Sequence, residues 1–263
     1  MLKRILSSII ALPLLFFFVI KGGNFLLIAA FIINIIALFE FYASFKGNNI
    51  KPINIISYFV TTLLYLMLFF YFRYEVYMFL ILTLISTSLG VVVFSNKYKL
   101  SDVAITILGF FYITFSISHI VMIDKIDNGF FIWYIFILAW VSDTSAYFVG
   151  SLLGRRKLIP NVSPNKTVEG AIGGVIGAIV VSYLYSFIFN KEFLLFSIFL
   201  GLLGSVFSQI GDLIASKIKR INGVKDFGNI MPGHGGVLDR FDSIIFTGPL
   251  VYYVVLLYQY MAK

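Results

Sequence analysis

Cysteine is absent from the 263 residues, which excludes disulfides, thiolate zinc sites and cysteine nucleophiles. Charge is scarce as well. Asp, Glu, Lys and Arg make up 12% of the chain, against about 25% in an average soluble domain. Histidine occurs only twice. Set against these gaps is an apolar content of 60%, with 30 phenylalanines. A soluble protein of this length has no interior large enough for so much apolar surface, and lipid is the solvent that suits it. A soluble enzyme, a DNA-binding domain and a disordered chain are thereby excluded. Barrel strands would alternate apolar and polar residues, so the apolar runs read as helices. The net charge of 20 − 12 = +8 speaks to topology rather than to nucleic acid.

Apolar runs at about 5–20, 25–45, 52–72, 76–95, 103–123, 129–149, 168–190, 193–216 and 241–261 predict an all-α, polytopic integral membrane bundle of about nine transmembrane helices. The first run is short and is interrupted by Pro13; Lys3 and Arg4 before it resemble the start of a secretory signal. No small-residue cleavage site follows, and eight more spans do, so it is taken as the first helix. With nine spans the basic residues divide 15 to 5 in favour of the N-terminal side. That asymmetry predicts a cytoplasmic N-terminus, an external C-terminus and cytoplasmic loops at 150–167 and 217–240. A single membrane domain, 1–263, is expected, with 1–128 mainly scaffold and 129–263 the half that carries chemistry. No internal repeat of the transporter kind is visible.

On the eighth run Ser208, Asp212 and Ser216 stand at i, i+4 and i+8, with Lys219 a turn further on, so they share a face. Gly201, Gly204, Gly211 and Ala215 would let another helix approach closely. A carboxylate inside a span costs about 2.5–3.5 kcal/mol, so Asp212 needs a cation or a wet cavity. The following loop holds Lys219, Arg220, Lys225 and the run Pro232-Gly233-His234-Gly235-Gly236, then Asp239, Arg240 and Asp242. Three glycines around His234 suit close approach of the backbone to a phosphate, or a plain tight turn. Asp239 and Asp242, at i and i+3, share a face at a helix start, where the helix dipole alone would favour either. Earlier lie Ser142-Asp143-Thr144 and the stretch Ser163-Pro164-Asn165-Lys166-Thr167-Val168-Glu169-Gly170. Lys166-Thr167 lacks the preceding glycine of a P-loop and has no strand expected before it, so a P-loop is rejected. Gly170, Gly173, Gly174 and Gly177 read as a helix-packing face. His119 reads as a packing histidine, and Glu40 as a residue that snorkels or pairs with Lys46. Oxygen ligands suit Mg²⁺, and lysine and arginine suit phosphates. The residues thus describe a cytoplasm-facing, metal-assisted site where a lipid phosphate meets a soluble phosphate donor.

The 27-residue stretch from Ser216 to Asp242, with Ser216-Lys217-Ile218-Lys219-Arg220, Lys225-Asp226-Phe227-Gly228 and Pro232-Gly233-His234-Gly235-Gly236-Val237-Leu238-Asp239-Arg240-Phe241-Asp242, resembles the signature of the phosphatidate cytidylyltransferases, or CDP-diacylglycerol synthases. Met231 is a conservative departure from it. Ser142–Thr144 and Ser163–Gly170 are similar to further motifs of that family, whereas the N-terminal half matches only as a series of spans. The resemblance implies that CTP and phosphatidic acid give CDP-diacylglycerol and pyrophosphate, with Mg²⁺, a monovalent cation such as K⁺ beside it, and a homodimer in the cytoplasmic membrane. It associates Asp212 and Asp239 with the metal, and we add Asp143 and Asp242 in support. Lys219, Arg220, Lys225 and Lys166 would neutralise phosphates. Ser163, Asn165, Ser216, Arg240 and the turn of Gly233, His234, Gly235 and Gly236 would meet substrate, with His234 a polar contact and not a base. A cytidylyltransferase acting on another lipid phosphate fits the same residues, and a lipid-phosphate or ion transporter is the non-enzymatic reading. The Asp-Gly-x2-Ala-Arg motif of CDP-alcohol phosphotransferases is absent.

Overall fold

Within lipid each backbone amide must find its partner inside its own segment, so the apolar runs fold as helices. A computed structural model describes residues 2–70, 75–126, 129–231 and 233–261. Pro232, Arg73 and Lys263 lie outside the described residues, as do the side chains of Lys3 and Arg4. Among the described residues, nine principal helices overlap the nine expected runs: α1 (Leu2–Lys21), α2 (Gly23–Ser44), α3 (Asn54–Phe69), α4 (Glu75–Phe94), α5 (Leu100–Asp124), α6 (Ile132–Leu153), α7 (Val168–Phe189), α8 (Leu194–Ile221) and α9 (Ile244–Met261). Seven are long and apolar enough to cross a membrane; Ala11–Lys21 of α1 and all of α3 are shorter apolar helices. The protein is therefore an all-α polytopic membrane bundle. Pro13 does not end α1, which continues to Lys21. Large apolar side chains such as Phe94, Leu152 and Ile188 stay exposed, as lipid-facing residues do.

Two helices change pitch. α5 passes through a π segment at Phe110–Phe115, and α6 through one at Ile137–Val141, immediately before Ser142 and Asp143. Sequence periodicity did not foresee either. Nor did it foresee an antiparallel hairpin of β1 (Lys157–Ile159) and β2 (Ser163–Thr167). A strand therefore does precede Lys166-Thr167, contrary to the expectation, although the P-loop glycine is still missing.

The chain divides into two compact units, Met1–Met122 with Ile221–Arg240, and Ile123–Arg220 with Phe241–Lys263. The segment 221–240 is grouped with the N-terminal helices. In that unit several buried polar side chains are paired with one another. Asn34 Nδ2 donates to Tyr65 Oη at 3.1 Å, and Thr114 Oγ1 donates to Asn34 Oδ1 at 3.0 Å. The Tyr42 hydroxyl bridges Ser57 Oγ at 2.7 Å and the Thr106 carbonyl at 2.9 Å. Such bonds remove the cost of burying polar groups among apolar helices.

The other unit is built on small residues. Gly170 of α7 lies against Gly150 and the Ala146 carbonyl of α6, Gly173 against Val149, and Gly177 against Ser145. The predicted packing face is thus real. On α8, Gly201 meets Ile179 of α7, Gly204 meets Leu138, and Gly211 meets the Asp242 carbonyl and Phe246. Thr167 caps α7 by accepting from the Gly170 amide at 3.1 Å. The Glu169 carboxylate accepts from the amides of Arg155 and Arg156, which ties the hairpin to that helix start. A Cβ at Gly170 would stand 2.7 Å from the Ala146 carbonyl oxygen, which is backbone and cannot swing away. Gly170→Ala should therefore destabilise the protein by about 1–3 kcal/mol, read as a lower melting temperature in detergent. Gly90→Ala, whose Cβ meets nothing within 4 Å inside a helix, should not lower the melting temperature and, by helix propensity, should raise it slightly.

Candidate active site

The hairpin and α8 place opposite charges together. Lys166, the penultimate residue of β2, forms an ion pair with Asp212 of α8. Ser216, one turn on, directs its hydroxyl at Asp212 Oδ1 at 3.5 Å. Ser208, one turn earlier on the same face, is fully buried, and its hydroxyl has no hydrogen-bond partner among the described residues. Asp143, one residue into the regular helix after the π segment, accepts from Ser243 Oγ at 3.2 Å. Asp242 accepts from the Ser243 amide at 2.9 Å, and its Oδ2 lies 4.0 Å from Lys219 Nζ. All of these belong to one unit.

Three carboxylates there stand within electrostatic reach. Asp143 senses the charges of Asp212 and Lys166, and Asp242 those of Asp212, Lys219 and Asp143. Burial raises the Asp242 carboxyl above the usual carboxylate range; the Asp212 charge adds to that shift, Lys219 opposes it, and Asp143 adds to it again. With all three carboxylates ionised, two lysines leave the cluster anionic, and a further cation would relieve the repulsion. The donors are all oxygens, the kind Mg²⁺ takes. Among the described residues of this unit, no three acidic or histidine side chains are drawn to ligand spacing. Arg220 is exposed at the end of α8, Ser163 is half-buried and Asn165 is exposed on β2.

The remaining predicted residues lie in the segment 221–240 of the other unit. Asp239 sits in the single helical turn Leu238–Phe241 and is buried; its Oδ2 accepts from the amides of Phe227 at 2.8 Å and Gly236 at 2.9 Å. It therefore closes the loop on itself. The His234 amide donates to the Met231 carbonyl, and Arg240 Nη2 donates to the His234 carbonyl at 2.7 Å. Gly233 and Gly235 adopt φ values of 80° and 87°, which a side chain would resist. The Gly236 amide is already engaged by Asp239, so its approach to a phosphate would not be through that N–H. Lys225 is exposed.

Glu40 was read as snorkelling or pairing with Lys46, and the structure corrects this. Its side chain is buried and accepts from the amides of Val237 and Leu238 at 3.0 and 2.8 Å. The available signal was a lone carboxylate in an apolar helix; the sequence could not say which segment would satisfy it. Ser243, which touches both Asp143 and Asp242, carried no signal beyond adjacency to Asp242.

The arrangement has the parts for phosphate chemistry, and Asp143, Lys166, Ser216, Lys219 and Asp242 fall in the stretches that carry the resemblance, whereas Ser208, Asp212 and Ser243 lie outside them. The model of the cytidylyltransferase family matches residues 2–258. The chain belongs to that family. Within the family it is 34% identical to the phosphatidate cytidylyltransferase of Bacillus subtilis, with 98% of this chain and 99% of the relative covered. It is 36% identical to that of Staphylococcus aureus and 33% identical to that of Staphylococcus haemolyticus, each over 94% of this chain and 96% of the relative. Family membership extends over the N-terminal helices too, where the motifs alone were silent.

Replacing Asp239 by Ala removes the acceptor for two buried amides, a cost of about 1–3 kcal/mol for each. Hydrogen exchange at Phe227 and Gly236 should accelerate by at least about tenfold in Asp239→Ala. Unchanged exchange would show that Asp239 does not hold the loop.

Proposed function

We propose that the protein is a phosphatidate cytidylyltransferase, joining the cytidylyl group of CTP to phosphatidic acid with release of pyrophosphate. One observation carries this reading: relatives bearing that name match nearly the whole chain, end to end. The cluster of Asp143, Lys166, Asp212, Lys219 and Asp242 supports it with the chemistry required.

In the reaction a phosphate oxygen of phosphatidic acid bonds to the α-phosphorus of CTP. The bond from that phosphorus to the bridging oxygen breaks, and pyrophosphate leaves with the electron pair. The attacking monoester has a second pKa of about 6 by analogy with phosphoserine, so near neutral pH it is already anionic and needs no strong base. A chain with no cysteine and two histidines is adequate to that task. The difficulty is repulsion between two polyanions and charge on the leaving group, which positive side chains and positioning relieve. Lys166, Lys219, Arg220 and Lys225 neutralise phosphates; Ser216 and the Gly233 and Gly235 positions approach them closely. Asp212, with Asp143 and Asp242, would hold Mg²⁺, and Asp239 takes the metal-associated role that the resemblance gives it. Bound there, Mg²⁺ supplies positive charge to phosphate oxygens. The same reading includes a homodimer in the cytoplasmic membrane with the N-terminus inside and the site facing the cytoplasm.

Purified protein in micelles with phosphatidic acid and Mg²⁺ should release pyrophosphate with CTP and not with ATP, GTP or UTP. Release that ignores the nucleotide, or requires no lipid, would overturn the reading. Asp212→Asn and Asp239→Asn should each lower Mg²⁺-dependent kcat by about 100-fold or more in protein that still folds. Full activity in either would remove that residue from the metal site. Lys166→Ala should raise KM for CTP or lower kcat by about tenfold or more; unchanged kinetics would reduce Lys166 to a partner of Asp212.

A further inference from the structure

Glu40 stands near the C-terminal end of α2, in the part of the chain expected to be scaffold, and no step of the proposed transfer uses it. A carboxylate 2% exposed is costly unless its oxygens are hydrogen-bonded. Both are: Oε1 accepts from the Val237 amide at 3.0 Å and Oε2 from the Leu238 amide at 2.8 Å. These amides open the turn from which Asp239 reaches back to Phe227 and Gly236. Two of the signature glycines, Gly228 and Gly236, lie directly against the Glu40 carboxylate, and a Cβ on either would overlap it. Neither has the positive φ of Gly233 and Gly235. At these two positions the backbone does not demand glycine; the carboxylate does. α2 holds the same segment elsewhere on the same side, through Ser44 Oγ, which accepts from Asn222 Nδ2 at 2.8 Å. Asn48, one turn past Ser44, donates to Asn222 Oδ1 at 2.8 Å, and Phe41 packs on Phe227.

We propose that Glu40 is a positioning residue for cytidylyl transfer, a carboxylate supplied by α2 that seats between Gly228 and Gly236 and fixes the stretch from Gly236 to Asp239. This rests on the function proposed above. Glu40 touches no substrate; it acts through the loop that carries Asp239 and Arg240.

Glu40→Gln keeps the side-chain shape but turns an NH₂ toward one of the two amides. Its kcat per folded molecule should fall by about tenfold or more. A role confined to folding would lower the melting temperature and the yield of folded protein but leave kcat per folded molecule at the wild-type value. Values of kcat and KM for CTP within about twofold of wild type, at equal folded fraction, would therefore overturn the proposal. A second variant pair keeps the test decisive should Glu40→Gln fail to fold. Gly236→Ala alone should lose about tenfold or more in kcat, and adding Glu40→Asp, whose shorter side chain withdraws the carboxylate, should recover most of that loss. Full activity of Gly236→Ala alone, or no recovery in the double variant, would overturn the seating of Glu40. No turnover by wild type measured in parallel would overturn the proposed function, and this inference with it.

Discussion

A carboxylate carried on an apolar helix has to be answered by something, and that requirement organises the polar parts of this protein. Asp212 is answered by Lys166 from a hairpin, and Glu40 by two backbone amides of the segment 221–240; Asp242, in the turn just before α9, is met by Lys219 and the Ser243 amide. Each answer draws a polar stretch onto a helix that would otherwise be plain packing. The energetic asymmetry is the reason: a satisfied buried charge is tolerable, whereas one stripped of its partner is strongly destabilising. Charged residues are few here, and Asp212 and Glu40 each stand where another chain segment is held to a helix.

The glycines serve the same end by a different route. Along α6 and α7 they bring two backbones close enough for Gly150 to face Gly170, which fixes the base of the hairpin and with it Lys166. Around Glu40 they leave the volume that a carboxylate fills. At Gly233 and Gly235 they permit a left-handed turn. Three physical demands, namely close approach, room for a partner and backbone conformation, thus appear in the sequence as the same letter.

How much could be read beforehand follows from the range of each signal. The helices were legible because an apolar run of span length is a local property, and so was the glycine face of α7, since i, i+3 and i+4 spacing is fixed by the helix itself. The grouping of Ser208, Asp212, Ser216 and Lys219 on one face was legible for the same reason. Glu40 was misread because its partners are almost 200 residues away and are amides, which have no letter. The hairpin was missed because Lys157–Ile159 and Ser163–Thr167 are too short and too mixed for a period of two to show. The π segments were missed because a reading at 3.6 residues per turn assumes that the period never changes.

That last point reaches beyond recognition of helices. In a π segment the backbone bonds span five residues instead of four, so a helix can absorb one additional amino acid without unravelling. Ile137–Val141 of α6 is such a place, and Ser142 and Asp143 follow it at once. Upstream and downstream of it, the same rod runs on two different clocks. The extra residue in that turn sets Ser142 and Asp143 on a face that a constant period of 3.6 would not have given them, and so bears on how Asp143 meets Ser243.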